Sequence, residues 1–157
     1  ERRDEPLEVV VVAEVESALA LFGHRLGKVD VVRSYDEVLT AMAVPDDLHH
    51  VFSNLIDNSL RAMEECGSLW IDARRAGDRI EVAIEDSGPG LPGDLAARMF
   101  EPFVSRRAGG TGIGLSVSSR IVRGWGGDLR PERGRTGGAR IVVSLPTEEP
   151  TCLREAS

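Results

Sequence analysis

Residues 44–65 read V-P-D-D-L-H-H-V-F-S-N-L-I-D-N-S-L-R-A-M-E-E, and the fold turns on them. Pro45 and the acids Asp46 and Asp47 are the signals of a helix start, since proline fits the first turn and negative charge suits the positive end of the helix dipole. Leu48, Val51, Phe52, Leu55, Ile56, Leu60 and Met63 recur at three- and four-residue spacing, which predicts a helix to about residue 65 with one core face. His50, Asn54, Asn58 and Arg61 recur at the same spacing on a second stripe. A solvated stripe ordinarily carries Lys and Glu, whereas asparagine is a poor helix former because its short amide competes for the backbone. The helix therefore reads as having a core side and a candidate ligand side. A polar face with satisfied asparagines is the plainer alternative.

Outward from this helix, Gly67 is expected to stop it. Residues 68–74 and 79–86 read as antiparallel strands joined by the R-A-G-D hairpin of residues 75–78. Ile80, Val82 and Ile84 share a face by period-two alternation, and Asp86 continues that face. A carboxylate ending an inward-facing row is costly unless a backbone donor or a ligand satisfies it. Beyond it come a loop at 86–93, a short helix near 95–100, an irregular stretch at 101–112 and a helix at 113–125 with Ile113, Val117, Ile121 and Val122 on its apolar side. Strands at 128–132 and 139–145 follow, and Pro146 ends the domain. Upstream, 7–12 reads as a strand, 13–22 as a helix, 23–27 as a connection and 29–35 as a second strand. With no internal repeat, residues 1–146 form one expected domain and the polar residues 147–157 an expected disordered tail.

Composition bounds the function. A chain of 157 residues is the size of one domain with a proper core. The net charge of −7 argues against a general nucleic-acid binder, which needs a basic surface. Cys66, read as the end of the long helix, and Cys152 form no ligand pattern and read as free thiols. No apolar run approaches the roughly 18 residues that span a bilayer, and the charged N-terminus is unlike a signal peptide. A first residue of Glu1 is expected of a fragment, whose parent stands open to membrane anchoring.

Four groups carry chemistry. In Asn54-x-x-x-Asn58-x-x-Arg61, amide oxygens suit a hard cation such as Mg²⁺, and the arginine suits a phosphate. In D-S-G-P-G at 86–90, the acid accepts from an exocyclic amine while glycines let a flat ring lie close; a plain β-turn reads the same letters. In G-G-T-G-I-G-L at 109–115, glycine backbone opening a helix presents N–H groups to an anion, with a flexible linker as the alternative. It is neither a Walker A loop nor a G-x-G-x-x-G fingerprint. In F-E-P-F at 100–103, followed by Ser105, Arg106 and Arg107, two aromatics anchor a flap and arginines meet phosphates, or the segment is a surface loop.

In this order the four groups closely resemble the GHKL superfamily of gyrase, Hsp90-like, histidine kinase and MutL ATPases. Within it, F-S-N-L-I-D-N-S-L-R-A, D-S-G-P-G, F-E-P-F and G-G-T-G-I-G-L-S are similar to the N, G1, F and G2 boxes of histidine kinases. The resemblance runs from about residue 7 to residue 146 and implies a two-layer α/β (α+β) sandwich, with a mixed, mostly antiparallel sheet of about five strands and helices on one face. It implies ATP and Mg²⁺ as ligands. Asn58 would hold the metal, with Asn54 beside it and Arg61 near the phosphates, these three forming the catalytic set. Asp86 would read the adenine amine, and Gly88 and Gly90 would shape the base pocket. Phe100 and Phe103 would anchor a lid bearing Arg107, and Gly110, Thr111, Gly112, Gly114 and Leu115 would line the triphosphate.

Gyrase-like members place a glutamate at the position of Asn54 as general base, so an asparagine there implies phosphoryl transfer rather than hydrolysis. None of His24, His49 and His50 resembles a phosphoacceptor, so the resemblance implies an acceptor histidine on a dimerisation domain outside this chain, with a response regulator downstream. It also implies a cytoplasmic, monomeric domain without contact to membrane or nucleic acid. Ser59 departs slightly from the usual alanine. An anti-sigma-type serine kinase and a non-catalytic ATP- or ADP-binding regulatory module are the competing readings.

Overall fold

In a computed structural model the described residues are 5–36, 38–90 and 114–147. Strand β1 (Leu7–Val10) runs into helix α1 (Val11–Ala20), and a single 3₁₀ turn (Gly23–Arg25) leads to β2 (Lys28–Tyr35). Then come β3 (Thr40–Ala43), α2 (Pro45–Ala62), β4 (Cys66–Ala76), β5 (Arg79–Asp86), α3 (Gly114–Arg123), β6 (Asp128–Arg133) and β7 (Ala139–Pro146). The readings for 95–100, for 101–112 and for the tail beyond 147 lie outside the described residues.

Five strands form one sheet in the order β2-β4-β5-β7-β6. Only β2 and β4 run parallel, from Lys28 opposite Cys66 to Tyr35 opposite Ala73, and the other three pairings are antiparallel. The expected mixed, mostly antiparallel sheet is therefore present. A parallel neighbour needs a crossover, and here β3 and α2 make it. β1 and β3 pair separately, Leu7 opposite Ala43 and Val10 opposite Thr40.

One face of the sheet is the core face. Leu48, Phe52, Leu55, Ile56 and Leu60 of α2 pack into one cluster with Leu69 and Ile71 of β4, Ile80, Val82 and Ile84 of β5, and Val143 and Leu145 of β7, all at most 1% exposed. Each such side chain contributes about 1.5–3 kcal/mol by leaving water. The opposite face carries charge. Arg74, Glu81, Arg130, Glu132, Arg140, Asp72, Glu85 and Arg135 form a continuous chain of ion pairs across β4, β5, β7, β6 and the turn after β6. The sheet's edges are β2, with exposed Lys28, Asp30 and Arg33, and β6, which contains Pro131.

β1 stops at Val10, where α1 begins; the Val11 N–H still bonds the Leu39 carbonyl opposite it (3.0 Å), the last rung shared with the strand pairing, and Val12 reads as strand only through its β-branched side chain. α2 ends at Ala62 rather than near residue 65, and Gly67 does not stop it. Glu64 and Glu65 take left-handed angles (φ 55° and 59°) and turn the chain, so Cys66 is the first, exposed residue of β4. Gly67 lies within β4 at φ 139°, where a Cβ would stand 2.3 Å from Ser87 Oγ. β4 extends beyond the expected 68–74 at both ends, and β3 is a strand that the sequence pattern does not announce. In α3 the buried stripe is Leu115, Ser118, Ser119 and Val122, while Val117 and Ile121 are only partly buried.

Candidate functional site

Asp86 is the last residue of β5 and is fully buried (0% exposed). Its alternation with Ile84 aims it inward, as the sequence predicts. One carboxylate oxygen, Oδ1, accepts from the Gly88 N–H (3.0 Å) and from the Ala139 N–H (3.3 Å). These backbone donors fix the rotamer of the carboxylate.

The glycines around it are there for space. A Cβ on Gly88 would meet the Ala62 carbonyl and Asp86 Oδ1, both at 3.0 Å. On Gly90 (φ +80°) it would stand 2.0 Å from the Gly137 carbonyl. Gly138 is tighter still, with the Asp86 carbonyl oxygen at 1.9 Å. Residues 134–138, the turn between β6 and β7, thus close against Asp86 and Gly90. That wall was missed in the sequence; the signal was the Gly137-Gly138 pair immediately before a strand.

The loop after Asp86 also meets the C-terminal turn of α2. Ser87 Oγ accepts from the Ser68 N–H (2.9 Å) and donates to Met63 Sδ (3.6 Å), and Gly88 abuts Ala62. Asn58 stands one helical turn before Ala62 on α2, so the Asp-Gly loop and the Asn helix end at one place. Asn58 is half-buried, and its amide makes no hydrogen bond among the described residues. Asn54 is different: its Nδ2 donates to Ser118 Oγ (3.2 Å) on α3, and Ser118 is 0% exposed. A nearby buried hydroxyl, Ser119 Oγ, has no partner among the described residues.

Arg61 is exposed and pairs with Asp57 one turn earlier (3.2 Å); the same carboxylate takes Arg25 at 2.7 Å. Leu115 lies in the core, so its side chain serves the packing of α3, whose first residue is Gly114. Phe100, Phe103, Arg107, Gly110, Thr111 and Gly112 lie outside the described residues. No cluster of three or more His, Cys, Asp or Glu fit to hold a metal occurs among the described residues.

On the other face of β5, Glu85 is 1% exposed. It accepts from the Arg135 N–H (2.6 Å) and Nε (3.0 Å) and from Arg140 Nη1 (3.0 Å), and Arg135 stacks on Trp70 at 4.5 Å. Burial pushes the Glu85 carboxyl up, but these donors outweigh it and hold the group below the usual carboxylate range. Polar alternation along β5 was legible; the burial of Glu85 was not.

Comparison with known proteins matches residues 43–149 to the family described as histidine kinase-, DNA gyrase B-, and HSP90-like ATPase. The chain is 40% identical over 101 residues to the alginate biosynthesis sensor protein KinB of Pseudomonas aeruginosa, covering 63% of this chain and 17% of that protein. It is 33% identical over 121 residues to the signal transduction histidine-protein kinase BaeS of Escherichia coli (73% of this chain, 26% of that one). This chain therefore spans about a quarter or less of those two relatives. The solved catalytic domain of histidine kinase ThkA superposes with a TM-score of 0.83 at 25% identity, over 91% of this chain and 96% of that one. No helix among the described residues is long and apolar enough to cross a membrane.

Proposed function

The chain belongs to the histidine kinase-, DNA gyrase B-, and HSP90-like ATPase family, and from that premise we propose that it is the catalytic, ATP-binding domain of a sensor histidine kinase. ATP binding comes with membership. The finer reading rests above all on Asp86, a buried carboxylate with one oxygen held by two backbone N–H groups amid glycines that leave no room for a Cβ.

The Asp86 carboxylate, its Oδ1 held by the Gly88 and Ala139 N–H groups, accepts from the amine of adenine, and Gly88 and Gly90, packed against the Ala62 and Gly137 carbonyls, shape the loop beside the base. Asn58, half-buried and without a hydrogen-bond partner among the described residues, offers its amide oxygen to Mg²⁺. Asn54 supports α3 through Ser118 and, being an amide, takes no proton from water. When bound, ATP with Mg²⁺ supplies a γ-phosphoryl group whose transfer needs alignment and charge neutralisation more than covalent help. Arg61, with Arg107, Phe100, Phe103, Gly110, Thr111, Gly112 and Gly114 of the lid and helix start, completes the set around the phosphates. The acceptor histidine sits on a dimerisation domain of the same kinase and passes the phosphoryl group to a response regulator. The domain works in the cytoplasm, as a monomer when isolated. Residues 1–146 form the working unit and 147–157 a tail.

The test is calorimetric titration of ATP, with and without Mg²⁺, against the wild type and Asp86→Asn. Strong weakening in the variant is expected; equal binding, or none by a folded wild type, overturns the reading. The acceptor is tested by incubating the chain and labelled ATP with the dimerisation domain of its parent kinase. An acid-labile, base-stable phosphate on that domain is expected, whereas an acid-stable one points to the serine kinase instead.

A further inference from the structure

Glu85 and Asp86 are successive residues of β5 whose side chains leave opposite faces of the sheet, yet both hold the same turn. Asp86 Oδ1 takes the Ala139 N–H where the turn enters β7, and Glu85 Oε2 takes the Arg135 N–H near its start (2.6 Å). Between these points the turn is closed by Gly134 N–H to the Gly138 carbonyl (2.7 Å) and Gly137 N–H to the Gly134 carbonyl (3.0 Å). Gly134 fits because a Cβ there would stand 3.1 Å from the Glu85 carboxylate and 2.9 Å from the Gly138 carbonyl. The same turn presents the Gly137 carbonyl to Gly90 and the Gly138 backbone to Asp86.

A charge 1% exposed is costly unless its lone pairs are met, and here they are met by the turn's backbone and by Arg135 and Arg140. The core has no need of it, since its side chain lies on the charged face. We propose that Glu85 is a positioning residue for nucleobase recognition: by fixing the 134–139 turn from the far side of the sheet, it keeps Ala139 N–H on Asp86 Oδ1 and so fixes the orientation in which the Asp86 carboxylate meets the base amine. The proposal rests on the reading of Asp86 as the adenine acceptor. It does not depend on the lid.

The experiment measures ATP and GTP affinity by competition against a fluorescent ATP analogue for the wild type, Glu85→Gln, Asp86→Asn and the double variant. Glu85→Gln leaves Asp86 in place but replaces a charged acceptor by an amide. ATP affinity is expected to fall about three- to tenfold, on the scale of one weakened charge-assisted hydrogen bond, and the preference for ATP over GTP with it. In the Asp86→Asn background the same substitution is expected to change nothing further. A merely structural Glu85 lowers both nucleotides alike or keeps its effect without Asp86, and either result overturns the proposal. Loss on Asp86→Asn with Glu85→Gln unchanged sinks this inference alone. No loss on Asp86→Asn sinks the adenine reading and this inference with it. Should Glu85→Gln fail to fold, Glu85→Asp decides, because the shorter side chain keeps the charge but withdraws it from the Arg135 N–H that ties it to the turn. An unaltered ATP-to-GTP ratio in that variant overturns the proposal as well.

Discussion

Replacing Gly138 by alanine tests the turn that walls Asp86, and its neighbour supplies the control. The new Cβ would stand 1.9 Å from the Asp86 carbonyl oxygen, 2.8 Å from its carbon and 3.0 Å from Oδ1. Carbon and carbonyl oxygen rest at about 3.3 Å or more, so the strands must part by about 1.4 Å, and backbone cannot rotate aside as a side chain would. That shift stretches the 3.3 Å bond from Ala139 N–H to the carboxylate beyond bonding range. Losing a hydrogen bond to a charged group costs about 1.5–3 kcal/mol, and forced overpacking about 1–3 kcal/mol. The expected loss of stability is thus about 3–5 kcal/mol, a large part of a small domain's total. Gly137→Ala differs in mechanism: at φ +88° with nothing within 4 Å, it meets only the left-handed strain, about 1–2 kcal/mol. Urea denaturation of the two variants, paired with ATP titration, gives the answer. If Gly138→Ala is no less stable than Gly137→Ala and binds ATP like the wild type, the turn yields freely and the argument from close approach is wrong.

Three further outcomes are expected. Asn58→Ala should reduce the Mg²⁺-dependent part of ATP affinity on the order of tenfold and leave binding in EDTA unchanged; equal losses in both titrations would refute a metal role. Because the folded Glu85 carboxyl titrates below its ordinary value, its stabilisation is fully present above the unfolded pKa of about 4.5 and disappears as pH falls through the lower folded value. Urea midpoints of the wild type and Glu85→Gln should therefore converge on acidification below that point, and a gap that persists to the acid limit would contradict the ion-pair account. The Tyr35 hydroxyl, pushed up to about 12 chiefly by burial and next by Glu16, should ionise near that pH in a spectrophotometric titration, its stabilisation being lost as pH rises from about 10 through 12. A midpoint at 10 would mean the ring is solvated.

The sequence read most clearly where a local rule decides. The two stripes of α2, the β4–β5 hairpin and the inward turn of Asp86 follow from spacing alone. β3 is four residues, T-A-M-A, without β-branched weight beyond Thr40, and is a strand because β1 pairs with it. The parallel register of β2 on β4 depends on the crossover between them. The end of α2 escaped because glutamates, not a glycine, take the left-handed angles. In α3 the apolar spacing suggested one face, but the buried stripe holds Ser118 and Ser119, small enough for α2 to come close and for Asn54 to find a partner. At the site, side-chain chemistry was legible, whereas the wall made by residues 134–138 is a matter of distances between backbones.

The two edges of the sheet bear on how the domain lives among its own kind. An open strand ordinarily invites another molecule to extend the ladder, the first step toward fibres. Pro131 gives β6 a position that donates nothing to an incoming strand, and Arg130, Glu132 and Arg133 flank it. Lys28, Asp30 and Arg33 set charges along β2. Copies of this domain can therefore be held at high local concentration without their sheets fusing into a common ribbon.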